Sequence, residues 1–197
     1  MNELKEKKGG SFWDLKEWGK LALVAVFIVI PFRMYIAQPF IVDGASMDPT
    51  FRTGQYLIVD ELSYNFRSPQ RGSVLIFKYP KDPSKYFIKR IIGLPGETVN
   101  INEGVVTIIN SSNPKGFSLD EPYIKLPKKD TSSYTLGQKE YFVMGDNRFG
   151  SADSRLWGPV PRANFVGRPV VRFWPFNIWP GDEIWQDTSS TANVQTN

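Results

Sequence analysis

The chain has 197 residues, 41% of them hydrophobic and 14% aromatic, enough for one ordinary core with a small appended lobe and too apolar for a disordered protein. It has no cysteine and no histidine, which excludes disulfides, thiolate metal sites, a cysteine nucleophile, and imidazole as general base or zinc ligand. The formal charge of +4 comes from basic residues scattered among acids, without the clustered, aromatic-interleaved stripe of a nucleic-acid binder, so nucleic acid is not expected as a partner.

Residues 1–20 are polar and mix Lys5, Lys7, Lys8, Lys16 and Lys20 with Phe12, Trp13 and Trp18. An apolar run, LALVAVFIVIPF, follows from Leu21 to Phe32. It is shorter than the roughly 20 residues that span a bilayer core, and a buried helix or a cleaved signal segment are the other uses of such a run. Carried on through Arg33 and Gln38, with the arginine snorkelling to an interface, the segment becomes long enough to cross. No convincing small-x-small cleavage pattern separates it from the globular part, so a transmembrane helix over 21–39 is expected. Between Ala37 and Tyr56 the only basic residue is Arg52, so the positive-inside rule puts residues 1–20 in the cytoplasm and the remainder outside.

From Phe40 the pattern changes to short runs that read as strands: FIVDG, QYLIVDEL, GSVLIFKYP, YFIKRIIG, TVNINEGVVTII, EYFVMG and FVGRPVVRFW. Pro95-Gly96 and Gly145-Asp146 are turn signals between them. The stretch from Asn110 to Gln138 is richer in Ser, Pro, Lys and Asn and interrupts two β regions. The expected architecture is therefore all-β: a catalytic-sized core over 40–186, with a smaller inserted β lobe at about 103–139. Phe173 to Trp179, with Trp174, serves equally as core or as a bilayer contact. Residues 187–197 are a polar tail with nothing to bury, expected to be disordered.

Three segments could carry chemistry. In Gly44-Ala45-Ser46-Met47-Asp48-Pro49-Thr50, Gly44 and Pro49 bracket a stiff turn that would fix the Ser46 hydroxyl and aim backbone N–H groups at an oxyanion; an ordinary turn is the plain alternative. In Tyr86 to Gly93, alternation puts Phe87, Lys89 and Ile91 on one face and Ile88, Arg90 and Ile92 on the other. Both faces are largely apolar, so at least one cation lies against hydrophobic surface. An ordinary lysine amine is neutral in only roughly one molecule in a few thousand at pH 7, and burial corrects this by disfavouring the ammonium. Without histidine, such a lysine is the natural base for a serine; a snorkelling surface cation is the alternative. In Met144 to Gly158, two acids, two arginines, two serines and an asparagine sit in a short loop, enough for a network that orients a neighbour.

Together QPFIVDGASMDPT, RGSVLIFKYP, YFIKRIIGLPGE and GDNRFGSADSRLWGPV, in this order between Gln38 and Trp174, resemble the type I signal peptidases, membrane enzymes that remove signal peptides from exported proteins. The resemblance implies that Ser46 is the nucleophile and Lys89 the general base. It implies that Ser151 orients the lysine ammonium, that Asp153 and Arg155 form a structural ion pair, and that Asp146 and Arg148 are a supporting acid and base. Met47, Phe87 and Ile88 would line the pocket for a small side chain at substrate position −1, and Phe40 and Val42 the −3 pocket. Gly44 stands where some members carry a serine that completes the oxyanion hole, so here the donors would be backbone N–H groups, chiefly that of Ser46. Ala45 and Asp43 replace the more usual glycine and proline of the same turn. No metal and no cofactor is implied. The implied partners are signal-peptide-bearing preproteins and the lipid bilayer, with the protein translocation machinery left open, and the implied location is the cytoplasmic membrane. Ser-Lys self-cleaving repressors share a related β core, but they bring a DNA-binding helical region where this chain has its apolar segment. A membrane-anchored β domain that only binds is the remaining alternative.

Overall fold

The computed structural model describes residues 12–35, 38–174 and 177–178. Residues 1–11, Trp179, the tail expected over 187–197 and the side chain of Trp174 lie outside the description. Helix α1 covers Phe12–Tyr35, and its apolar residues Leu21, Leu23, Val24, Val26, Phe27 and Ile28 are exposed. Among the described residues no helix is long and apolar enough to cross a membrane, so the single-pass topology expected over 21–39 does not follow from the fold.

The rest is mostly β. The strands are β1 (Gln38–Ile41), β2 (Tyr56–Asp60), β3 (Val74–Tyr79), β4 (Asp82–Gly93), β5 (Thr98–Asn102), β6 (Val105–Ile109), β7 (Phe117–Ser118), β8 (Ser132–Thr135), β9 (Glu140–Met144), β10 (Val160–Pro161), β11 (Phe165–Trp174) and β12 (Asn177–Ile178). One eight-stranded sheet runs β1-β2-β11-β3-β4-β9-β10, with β12 on β11; a four-stranded sheet runs β7-β6-β5-β8 and lies in sequence between β4 and β9.

Side-chain pattern decides how each strand sits. In β2, β5 and β6 alternate residues point inward: Leu57 and Val59, Val99 and Ile101, Val106 and Ile108. In the interior strand β3, Val74, Leu75, Ile76 and Phe77 are all buried, as a strand covered on both faces requires. The two sheets share a core in which Ile92, Phe142 and Met144 of the first meet Val99, Ile101, Val106 and Ile108 of the second. Sequence alone extends β2 to Leu62; instead the Asp60 carboxylate accepts the backbone N–H groups of Leu62 and Ser63, ending the strand and starting the short helix α2 (Ser63–Phe66).

The position of the site follows from the register of β4. It pairs with β3 from Asp82 to Arg90, whereas β9 joins it only from Arg90 onward, opposite Met144. Its other edge before Arg90 therefore carries no strand among the described residues, and β1, paired only with β2, also has one open edge. The rings of Phe40 on β1 and Tyr86 on β4 meet edge-on at 5.5 Å, so the two open edges border one groove.

Candidate active site

Ser46 opens a turn, residues 46–50, a short bend beyond β1. Gly44 has φ +95°, in the left-handed region that a β-carbon disfavours, which accounts for glycine at this bend. The Asp48 N–H donates to the Ala45 carbonyl at 3.2 Å and the Phe51 N–H to the Met47 carbonyl at 2.8 Å, which turns Met47 and Phe51 inward, fully buried with Leu57 and Val59. From the opposite side Asn147 clamps the turn. Its backbone N–H donates to the Ser46 carbonyl and its side-chain amide to the Ala45 carbonyl, each over 3.1 Å. The N–H of Ser46 itself has no partner among the described residues.

Lys89 is only 4% exposed, and its Nζ lies 2.7 Å from Oγ of Ser46 and 2.9 Å from the Ile88 carbonyl, with the Phe87 ring centroid 5.3 Å away. Burial lowers its pKa from 10.5 to about 8, against the pull of the Asp153 and Asp146 carboxylates, which act to raise it. An amine in this setting is neutral in an appreciable fraction of molecules near neutrality and can take a proton from the hydroxyl beside it.

Behind the amine, the loop after β9 holds its acids in ion pairs. Asp153 pairs with Arg155 through both carboxylate oxygens at 2.8 Å and accepts the Gly145 N–H at 3.0 Å. Burial alone would push the Asp153 carboxyl up; the hydrogen bonds and charge of Arg155 outweigh it and hold the group below the usual range. Arg155 reaches on to Asp130 at 2.8 Å and to the Arg148 carbonyl at 2.9 Å. Asp146 receives Arg90 bidentately at 2.9 and 2.6 Å, and Arg148 pairs with Glu121. The Ser151 hydroxyl is buried and makes no hydrogen bond of ordinary geometry among the described residues, although it is near enough to Asp153 to help hold that carboxyl down. The hydrogen bonds of the Lys89 amine go to Ser46 and Ile88, so orientation by Ser151 has no direct contact behind it here.

A groove of about 270 Å³ opens over Ser46 and Lys89, lined in part by Phe40, Val42, Gly44, Phe87 and Ile88. These are the expected substrate-contacting residues with one exception: Met47 is absent from the lining because its side chain fills the core beneath the turn. Four further residues shape the site without having been singled out for it in the sequence: Thr50, Arg90, Glu121 and Asn147. Arg90 carried a signal, a cation on the apolar face opposite Lys89. Among the described residues no cluster of acids could hold a metal ion.

The family model described as "Signal peptidase, peptidase S26" matches residues 15–174. A "Probable signal peptidase I-2" of Synechocystis sp. is 39% identical over 166 residues, covering 81% of this chain and 73% of that protein. A signal peptidase I of Leptolyngbya laminosa is 39% identical over 176 residues, covering 83% of this chain and 81% of that protein. A crystal structure of a signal peptidase I from Enterococcus faecalis V583 is 31% identical and superposes with a TM-score of 0.45, covering 52% of this chain and 97% of that chain.

Proposed function

This chain belongs to the signal peptidase family, peptidase S26, and from that membership we propose a membrane-anchored serine endopeptidase that removes signal peptides from exported precursors, with Ser46 as nucleophile and Lys89 as general base. The observation that carries the proposal is the 2.7 Å contact between a buried, weakly basic amine and a hydroxyl in a chain without histidine or cysteine.

Neutral Lys89 takes the Ser46 proton as Oγ bonds to the scissile carbonyl carbon. The carbonyl oxygen gathers negative charge opposite the Ser46 N–H, a donor left open among the described residues and fixed in advance by the Asn147 clamp. The Lys89 ammonium then gives its proton to the leaving amine as the C–N bond breaks, releasing the mature N-terminus and leaving an ester on Ser46. A water molecule, deprotonated by the same amine, attacks that ester, and the proton returns to Ser46. The precursor lies extended between the open edges of β1 and β4, adding a strand whose alternate side chains drop toward Phe40 and Val42 at −3 and toward Phe87 and Ile88 at −1. Small residues at −1 and −3 are the ones such an added strand would seat there.

Anchoring is supported by the exposed apolar residues of α1, which leave no polar face between Leu21 and Ile28, and by the five lysines that precede them. The N-terminus would lie in the cytoplasm and the β domain outside. Fractionation with external protease digestion tests this: the chain should pellet with membranes and lose its β domain to protease added outside. Purified Ser46→Ala and Lys89→Ala variants should fold yet leave a precursor uncut, and cleavage by either would remove that residue from the mechanism.

A further inference from the structure

A second cavity, of about 290 Å³, lies apart from the groove, between α2 and the turn before β9. Its walls include Arg67, Lys139 and Arg162 together with the polar residues Asn65, Ser68 and Gln138, and among the described residues no acid. None of the three cations has a carboxylate partner among the described residues. Arg162 is oriented in advance: its guanidinium lies 5.6 and 5.0 Å from the Tyr64 and Phe165 rings and donates to the Tyr64 carbonyl. The Arg162 backbone N–H bonds the Lys139 carbonyl at 2.8 Å, which keeps the two residues adjacent on the cavity wall. Like charges gathered without acids repel one another, and a fixed guanidinium fork beside polar donors matches a phosphate.

We propose that this cavity binds an anionic phosphate ester, the headgroup phosphate of an acidic glycerophospholipid. The phosphate chemistry stands on the cavity alone; the lipid source rests on the anchoring proposed above. Two placements favour that source. Helix α2 begins four residues after Val59, the register partner of Gln38, so the cavity wall leaves the sheet beside the end at which α1 delivers the chain. Phe66, on the same wall, is 83% exposed, an apolar ring free to enter the acyl boundary beside a bound headgroup.

The test uses the full chain in neutral detergent and follows the side-chain Nε–Hε resonance of Arg162. Soluble short-chain phosphatidylglycerol should shift it saturably, and phosphatidylcholine of equal chain length should not. The double variant Arg67→Gln/Lys139→Gln should bind about twenty-five-fold more weakly, about fivefold for each cation, while cutting a soluble precursor peptide as well as the parent does. Inorganic phosphate is the second arm: much weaker saturation assigns the site to the lipid, and equal affinity assigns it to free phosphate. An equal response to phosphatidylcholine, no saturable shift with either anion, or unchanged affinity in the double variant overturns the proposal. Binding should persist in Ser46→Ala, so failure of this site and failure of the protease reading appear in different measurements.

Discussion

The hydroxyl of Thr50 donates to Oδ2 of Asp146 over 2.5 Å. The same carboxylate takes both Nε and Nη2 of Arg90, the neighbour of Lys89, so a single acid ties the turn that presents Ser46 to the strand that presents the amine. Arg90 is held in turn by the Gly72 carbonyl at 2.7 Å and by the Tyr123 ring, 4.0 Å from its guanidinium carbon. The 2.7 Å spacing between Ser46 and Lys89 is therefore set by a brace behind them, beyond their own mutual attraction.

Thr50→Val keeps the shape of the side chain and removes the donor. Asp146 keeps Arg90, so stability should fall by only about 1 kcal/mol. The turn is freed on one side, and kcat for precursor cleavage should drop about tenfold or more with KM little changed, since misplacement of a reacting atom is felt mainly in the transition state. Thr50→Ser should recover most of the loss. Steady-state kinetics on the three proteins decides it, and parental kcat in the valine variant would disprove the brace.

The amine also sets the pH response. With the folded pKa of Lys89 at about 8, kcat/KM should climb about tenfold per pH unit below that value and level off above it. Folding shifts the same group from 10.5 to about 8, so the folded state resists protonation. The stability it contributes is fully present above 10.5 and is lost as pH falls through about 8. At pH 7 the folded chain thus carries a penalty of up to roughly 3 kcal/mol from one buried ammonium. Lys89→Met should abolish cleavage and raise the unfolding midpoint at pH 7, a gain that shrinks as pH rises toward 10; denaturant melts at several pH values measure both signs.

Asp153 acts on that amine through its charge. Asp153→Asn removes a carboxylate that raises the Lys89 pKa, so the ascending limb of the pH profile should move to lower pH. The cost is structural. Arg155 keeps Asp130 but loses one of its two Asp153 acceptors and the charge on both, and breaking a buried pair on one side costs about 3–5 kcal/mol. A limb that stays in place in a variant that still folds would show that Asp153 supports the loop alone.

What the sequence reveals here is what lies within one element. Lys89 is legible because a strand with two apolar faces has nowhere wet to put an amine, and the turn at Ser46 is legible from its Gly and Pro. The partners of these residues are not. Asp146 and Arg90 are 56 positions apart, and Arg148 and Glu121 are 27 apart, so their pairing appears only once the chain has folded. Met47 fails for a related reason. Its neighbours along the chain are polar, and only the hydrogen bond from Phe51 back to its carbonyl shows that both residues turn into the core. The end of β2 at Asp60 depends on a side chain competing for backbone donors, which hydrophobic pattern does not record.

Gly145 gives the sharpest steric prediction. A β-carbon there would sit 2.4 Å from the Ser46 carbonyl oxygen, 2.3 Å from Oγ of Ser151 and 2.5 Å from Cβ of Ser151. The first of these is backbone, part of the turn that carries the hydroxyl, and it cannot rotate away as a side chain could. Gly145→Ala must therefore push the Ser46 turn off the loop, stretching the Asn147 N–H bond to that same carbonyl. Activity should fall by about a hundredfold or more, with a stability loss of about 1–3 kcal/mol from overpacking. Adding Ser151→Ala removes Oγ but leaves the carbonyl and the Ser151 β-carbon in the way, so the double variant should stay inactive. Ser151→Ala alone deletes a buried hydroxyl that lacks an ordinary hydrogen bond among the described residues, and its thermal midpoint should match the parent closely. Recovery of cleavage in the double variant would move the clash from the Ser46 backbone to the Ser151 hydroxyl and refute the argument that glycine is required by the approach of the nucleophile turn.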